Sequence, residues 1–190
     1  MKRHAGFNLI ELMVALTIGM IVILGAEKIY FTTLSANVSG AKMQRFEQTL
    51  QILSNEMVTE IRRAGYANPS VTLTAQSNGK YYYPQTSCIT FSHSTPAAGG
   101  VSAVNEVFYG YQLASNTIYY WNNNSNGNCS TTTSWKAITD PTQIKVTALT
   151  FTASGTSLVN INIQADAVNM TTPSGGTVSR NMSSYVRVRN

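Results

Sequence analysis

Few side chains in this sequence could catalyse a reaction, and they are widely scattered. A Ser-His-Asp triad would need His93 together with Asp140 or Asp166, yet no Gly-x-Ser-x-Gly motif is present to carry the nucleophile. Beyond residue 66 the acidic residues are Glu106, Asp140 and Asp166, which are too few and too dispersed to indicate paired-carboxylate chemistry. No phosphate-binding glycine motif is present either. The sequence therefore predicts a protein that is not an enzyme.

The cysteines and histidines do not have the spacing of a metal site. Cys88 and Cys129 are far apart and do not form a Cys-x-x-Cys motif, and the histidines are His4 and His93. If the protein is exported, a disulfide between Cys88 and Cys129 is expected, because oxidising compartments favour disulfides. Closing so long a loop contributes about 3–4 kcal/mol in the chain-entropy model. We therefore expect this disulfide and neither a metal nor a cofactor.

Residues 7–26, FNLIELMVALTIGMIVILGA, form an apolar run whose only formal charge is Glu11. At about 1.5 Å rise per residue, a helix of this length spans roughly 30 Å, the thickness of a bilayer's hydrocarbon core. Lys2 and Arg3 precede the run, and the positive-inside bias retains them in the cytoplasm. We therefore expect a single transmembrane helix, residues 7–26, and export of residues 27–190.

Glu11 needs a partner if it lies within a membrane. A carboxylate in a spanning helix costs about 2.5–3.5 kcal/mol on insertion scales, and no Lys or Arg lies between Phe7 and Glu27. Position 11 is one helical turn after Phe7, so an amine freed at Phe7 would lie on the same face as the carboxylate. The amine could instead belong to a neighbouring subunit. The alternative is an uncleaved signal anchor in which Glu11 is tolerated near the interface.

The residues before the apolar run indicate how the chain is processed. A secretory signal places small residues after its apolar run, whereas Ala5 and Gly6 precede it here. The sequence Gly6-Phe7-Asn-Leu-Ile-Glu11 resembles the type IV prepilin signal. That resemblance implies that a prepilin peptidase removes residues 1–6 by cutting after Gly6 and that the new amine of Phe7 is methylated.

The helical pattern continues beyond the apolar run. A second stripe recurs at helical spacing, and its members are Phe46, Leu50, Leu53, Met57, Ile61 and Ala64. Gly65 is the expected stop, and Pro69 lies beyond it. We predict one spine helix over residues 7–66, with possible bends at Gly19, Gly25 and Gly40. The stripe is expected to pack on a sheet, and an intermolecular coiled coil is the alternative.

The remainder of the chain, residues 67–190, reads as antiparallel β-structure. The predicted strands are residues 88–92, 106–113, 117–121, 135–138, 143–153, 158–165 and 178–188. Ile144, Val146 and Ala148 should face the core from one strand, and Leu158 or Val159, Ile161 and Ile163 from the next. The sequence thus predicts an α+β fold in which a long N-terminal helix packs on an antiparallel sheet domain.

Several downstream segments sharpen the resemblance. The helix end ILSNEMVTEIRRAGY, the strand ITFSHS, the stretch WKAITDPTQIKVTALTF and the terminal SYVRVRN are similar to PilW-type minor pilins of Gram-negative type IV pili. The J-type minor pseudopilins of type II secretion share the anchor but less of the two ends, and remain the alternative.

The resemblance also implies a location, partners and a role. A PilW-type subunit spans the inner membrane once, with its N-terminus cytoplasmic, and then enters a periplasmic and extracellular pilus. Its expected partners are other minor pilins, the major pilin, the prepilin peptidase and the inner-membrane assembly platform. The implied role is that of a low-copy subunit in a tip or initiation complex that primes pilus assembly.

Nucleic-acid capture or adhesion is a further alternative. The sequence Lys80-Tyr81-Tyr82-Tyr83 places aromatic rings beside a cation, and the additional cations would be Lys136, Arg180, Arg187 and Arg189. However, charged residues make up only 11% of the chain and the formal net charge is +5. This low charge density favours tyrosines that line a strand or loop over a nucleic-acid surface.

Overall fold

The computed structural model describes residues 8–95, 105–171 and 175–188. The chain divides into two compact units, with the boundary between Gln44 and Arg45. Helix α1 (Leu9–Arg62) contributes its first part to the first unit and its second part to the other. All strands belong to the second unit, which we call the globular unit. Residues 1–6 and Phe7 lie outside the described residues.

Helix α1 is 54 residues long and continues through Gly19, Gly25 and Gly40. Each glycine costs about 1 kcal/mol relative to alanine, and the surrounding Leu, Met and Ala residues are good helix formers that offset this cost. The helix ends at Arg62, and Gly65 follows with a φ of 79°. Glycine adopts this left-handed conformation without strain, so the predicted stop is confirmed.

The first sheet contains five antiparallel strands in chain order. They are β1 (Tyr82–Pro84), β2 (Cys88–Thr95), β3 (Asn105–Ala114), β4 (Thr117–Asn123) and β5 (Lys136–Ala137). Ser115 and Asn116 join β3 to β4 as a two-residue turn with φ angles of 48° and 62°, as tight hairpins require. Residues 82–84 were not among the predicted strands. In the structure β1 lies at the sheet edge, where its proline is tolerated.

The second sheet contains three antiparallel strands, β6 (Ile144–Ser154), β7 (Leu158–Thr171) and β8 (Thr177–Arg187). Val146 pairs with Ala165 and Ala148 with Gln164, so Thr147 forms a bulge. Because of the bulge, the next buried residue of β6 after Val146 is Leu149 and not Ala148. The prediction that Ala148 faces the core was therefore wrong, because it assumed unbroken alternation.

The core of the globular unit lies between the second part of α1 and both sheets. The predicted stripe is buried, with Met57, Ile61 and Ala64 each 0% exposed. Gly65 donates its N–H to the Ser92 carbonyl of β2 at 2.9 Å, and the Ser54 hydroxyl bonds that of Ser184 in β8 at 2.7 Å. The stripe therefore packs on β-structure within the chain, as predicted, and not in a coiled coil.

The two sheets contact each other along β6. The N–H of Val146 donates to the Asn116 carbonyl at 3.1 Å, and the N–H of Phe151 donates to the Thr86 carbonyl at 3.3 Å. The first sheet therefore lies against the β6 edge of the second sheet, and β8 forms the other edge.

Candidate functional site

The first part of α1 carries an exposed apolar surface. The large apolar side chains between Leu9 and Val38 are 45–74% exposed. Among the described residues, α1 is the one helix that is long and apolar enough to cross a membrane. Leaving a side chain such as leucine in water forgoes about 1.5–3 kcal/mol of burial free energy. This surface therefore needs lipid or protein around it.

Glu11 lies in the first turn of α1. The N–H of Leu12 donates to the Asn8 carbonyl at 3.2 Å, which makes Asn8 the residue that begins the helix and Glu11 the third residue after it. An Asn followed three residues later by Glu is a favourable helix start, since both side chains can accept from the free N–H groups there. Sequence reasoning missed this role for Asn8, although the spacing was readable.

The pairing of Glu11 with an amine stays a prediction. Among the ion pairs that the described residues form, none involves Glu11. A carboxylate at the helix N-terminus is stabilised by the helix dipole. The predicted partner, the amine of Phe7, and the predicted cleavage position after Gly6 lie outside the described residues.

The expected disulfide between Cys88 and Cys129 is present in the structure, with Cα atoms 5.9 Å apart. Cys88 packs with Trp121 and Trp135, whose ring centroids are 5.6 Å apart. A Cβ on Gly127 would lie 2.9 Å from the Trp135 ring, so glycine is needed for this packing. The disulfide thus fastens the polar loop after β4 to strand β2.

His93 belongs to strand β2 of the first sheet and is 0% exposed, and its ring contacts α1. Its Nε2 is 3.6 Å from a Glu60 carboxylate oxygen, and its Nδ1 is 3.3 Å from the Ser94 carbonyl. The ring stacks on Tyr109 with centroids 4.3 Å apart. Interaction with His93, and to a lesser degree with the Arg63 guanidinium, lowers the pKa of Glu60 against the opposing effect of burial. This cluster connects the end of α1 to the sheet.

The structure does not assemble the triad considered for His93. The Asp140 carboxylate accepts from the Thr142 N–H and hydroxyl at 2.9 and 2.7 Å, and these bonds lower the pKa of Asp140. The Asp166 carboxylate accepts from the Ser179 hydroxyl at 2.5 Å. The histidine contacts Glu60 instead. Within the described part of the chain, no group of three His, Cys, Asp or Glu residues could hold a metal ion.

Among the residues considered for nucleic-acid capture, Tyr82 is buried, and Lys80 and Arg180 contact other residues of the chain. Tyr82 is 0% exposed, and its hydroxyl donates to the Thr156 carbonyl at 2.8 Å. Lys80 Nζ lies 5.5 Å from the Tyr82 ring and 3.4 Å from the same carbonyl. Arg180 pairs with Glu47 at 3.0 Å. The central tyrosine therefore lines a strand, as the sequence interpretation favoured. Arg189 lies outside the described residues.

Comparisons with known proteins agree with this architecture. Residues 1–26 match the prokaryotic N-terminal methylation motif, and residues 39–188 match the family described as prepilin peptidase-dependent protein B. A type IV-like pilin from Thermus thermophilus has a similar structure, with a TM-score of 0.53 and 12% identity over 76% of this chain and 95% of that chain. This likeness shows a shared fold. Among proteins with curated functions, none matches the chain.

The family match spans well over half of the 190 residues, and the structural likeness independently supports a pilin fold. The resemblance to type IV minor pilins is therefore confirmed at the level of family and fold. The chain belongs to the prepilin peptidase-dependent protein B family and has a type IV pilin-like fold.

Proposed function

We propose that this protein is a minor pilin that enters a type IV pilus and acts through contacts with other subunits. The observation that carries the proposal is the exposed apolar first part of α1 with Glu11 at its start. Such a surface can be buried in lipid before assembly and against neighbouring helices afterwards. We place the protein in the inner membrane first, and then in the periplasmic and extracellular filament.

Processing supplies the partner for Glu11. We propose that the prepilin peptidase cuts after Gly6 and that the Phe7 amine is methylated, which preserves its positive charge. An unpaired carboxylate in the bilayer costs about 2.5–3.5 kcal/mol, so pairing with the amine of its own or a neighbouring Phe7 is favourable. A pair between subunits would also fix how one helix is placed along the next.

The work of the globular unit is proposed to be recognition and not catalysis. His93 contacts Glu60 in a packed interface, and the acids Asp140 and Asp166 are held by local hydrogen bonds. Partners would be other minor pilins, the major pilin and the assembly platform, in a complex that primes assembly at the tip.

Replacing Glu11 by Ala tests the assembly role. The variant should remain in the membrane, because losing a carboxylate makes insertion easier, yet be depleted from sheared filaments and from complexes with other pilin-family subunits. Glu27→Ala is the matched control, since it removes a carboxylate from the same helix outside the apolar run. Equal recovery of both variants in sheared filaments would show that Glu11 has no pairing role.

Deleting the gene tests the priming role. Priming predicts fewer filaments of ordinary length, because initiation is lost while elongation is not. A normal number of filaments would contradict priming. Loss of protein secretion with normal pili would assign the chain to a type II secretion system instead.

A further inference from the structure

Strand β8 is an open sheet edge. It is 11 residues long and pairs with β7 alone among the described strands. Long edges that expose backbone N–H and C=O groups are sites where another strand can add, and proteins usually cover or interrupt them. In the described part of the chain, the outer edge of β8 therefore has no strand beside it.

The hydrogen-bond pattern identifies which residues of β8 face outward. Directly after β8, the N–H of Val188 donates to the Ser157 carbonyl, which directly precedes β7, at 2.7 Å. Val188 and Ser157 therefore form a hydrogen-bonded pair of the antiparallel ladder. Hydrogen-bonded and non-bonded pairs alternate in an antiparallel ladder. Asn181, Ser183, Tyr185 and Arg187 consequently direct their N–H and C=O groups away from β7.

Strand β6 provides an independent check of this alternation. The residues of β7 that bond to β8 alternate with those that bond to β6. The pairing of β7 with β6 then predicts that Val146 and Phe151 direct their N–H groups away from β7. Both donate to the first sheet, as described above. The assignment of the outward groups on β8 is therefore consistent across the whole second sheet.

The end of this edge opens into a positively charged groove. The groove has a volume of about 860 Å³, and its lining residues are Arg62, Thr156, Ser157, Leu158, Tyr185, Arg187 and Val188. Among the described residues, neither Arg62 nor Arg187 forms an ion pair, and Lys80 Nζ lies 3.4 Å from the Thr156 carbonyl nearby. None of the described residues that line the groove is acidic. Its electrostatics therefore favour an anionic occupant.

Tyr185 lies at the junction of the edge and the groove. Tyr185 is 65% exposed, and Tyr and Arg are among the residue types that contribute most to binding energy at interfaces. Outward backbone groups, an exposed ring and unpaired guanidinium groups thus meet at one place.

We propose that β8 binds an extended acidic segment of a second protein by strand addition, with its carboxylates held by Arg62 and Arg187. The backbone of the segment would pair with Ser183 and Tyr185, which gives affinity, and the two guanidinium groups would select the acidic sequence. In the proposed pilus this second protein is another subunit, so the identity of the partner rests on the proposed function while the binding mode does not.

A photo-reactive phenylalanine at Tyr185 in the full chain, expressed in cells, identifies the occupant. We expect cross-links to one segment of a second protein that contains at least two Asp or Glu residues. The control position is Thr152, which is exposed on the solvent face of β6 away from the edge. The proposal is overturned if no cross-link forms, or if position 152 gives the same adducts. It is also overturned if the linked segment contains no Asp or Glu, or if it is β8 of a second copy of this chain.

The linked segment is then synthesised as a peptide and titrated against the full-length processed protein in neutral-lipid nanodiscs. Ser183→Pro removes an outward N–H but no bond to β7, and proline is tolerated at such edge positions. It should weaken binding about fivefold, as expected for the loss of one hydrogen bond worth about 1 kcal/mol. Ser183→Ala keeps the N–H, so its Kd for the peptide should lie within about twofold of the Kd of the natural chain. Equal affinity of the two variants would exclude strand addition.

A charge reversal tests the groove separately. Arg187→Glu should weaken the peptide at least about tenfold, whereas Lys136→Glu, on exposed strand β5, should change affinity less than about twofold. If the two charge reversals weaken peptide binding equally, the peptide is attracted by the overall charge of the protein, and the groove is not its binding site. Because this titration needs no pilus, its failure leaves the Glu11 experiments interpretable, and failure of those leaves this result standing.

Discussion

Replacing Ile61 by Ala should destabilise the globular unit, whereas Ile29→Ala in the same helix should not. Ile61 is 0% exposed and Ile29 is 70% exposed. Removing three buried carbon atoms from Ile61 costs about 2.4 kcal/mol at about 0.8 kcal/mol each. A residual cavity of roughly 60 Å³ adds up to about 1.5 kcal/mol. The expected loss is therefore about 2.5–4 kcal/mol for Ile61→Ala.

For Ile29→Ala the expected change is below about 0.5 kcal/mol, because no buried contact is lost and alanine is the better helix former. Thermal unfolding of the full chains in one detergent, followed by near-UV circular dichroism, measures both variants. At about 2–4 °C per kcal/mol for a protein of this size, Ile61→Ala should lower Tm by roughly 5–16 °C. Equal shifts for the two variants, or a shift under about 2 °C for Ile61→Ala, would refute the assignment of the stripe to the core.

Three further predictions concern the globular unit. Replacing both Cys88 and Cys129 by Ser should lower the free energy of unfolding by about 3–4 kcal/mol in the chain-entropy model. Alkylation without reduction should label neither cysteine of the natural chain. Rapid labelling of either cysteine would contradict the disulfide. The lowered pKa of Glu60 stabilises the fold above the ordinary value of 4.5, and this stabilisation should be lost as the pH falls through the lower folded value. Urea midpoints measured from pH 7 to pH 3 should therefore fall less steeply in Glu60→Gln, and parallel curves would argue against the His93 pair. Gly110→Ala would place a Cβ 2.9 Å from both the Ile89 carbonyl oxygen and the Trp135 ring, so it should cost about 1–3 kcal/mol in denaturant unfolding. Gly40→Ala, which meets nothing within 4 Å, should be neutral or stabilising by up to about 1 kcal/mol.

Local patterns predicted the helix and most of the strands. The membrane-length helix could be predicted because membrane insertion depends on the composition and length of an apolar run. The stripe from Phe46 to Ala64 could be predicted because its apolar residues recur at the 3.6-residue period of a helix. Gly65 was identified as the stop because left-handed conformation is a local preference of glycine. These features depend on neighbours in sequence, and so they could be predicted from the sequence.

Features that depend on partners distant in sequence could not be predicted. The bulge at Thr147 arises from pairing with β7, and it moved Ala148 off the core face. The contact between His93 and Glu60 joins a strand to a helix, and no spacing rule relates the two residues. The division of the strands into two sheets has the same origin.

The sequence by itself determined the membrane-length helix, the processing motif and the cysteines available for a disulfide, because each is set by composition or short spacing. Only the tertiary structure decided that Arg62 and Arg187 line one groove and that, among the described strands, β8 has β7 as its one neighbour. The groove follows from the packing of α1 against β8. The position of β8 follows from the contact of β6 with the first sheet, which leaves β8 at the opposite edge of the second sheet.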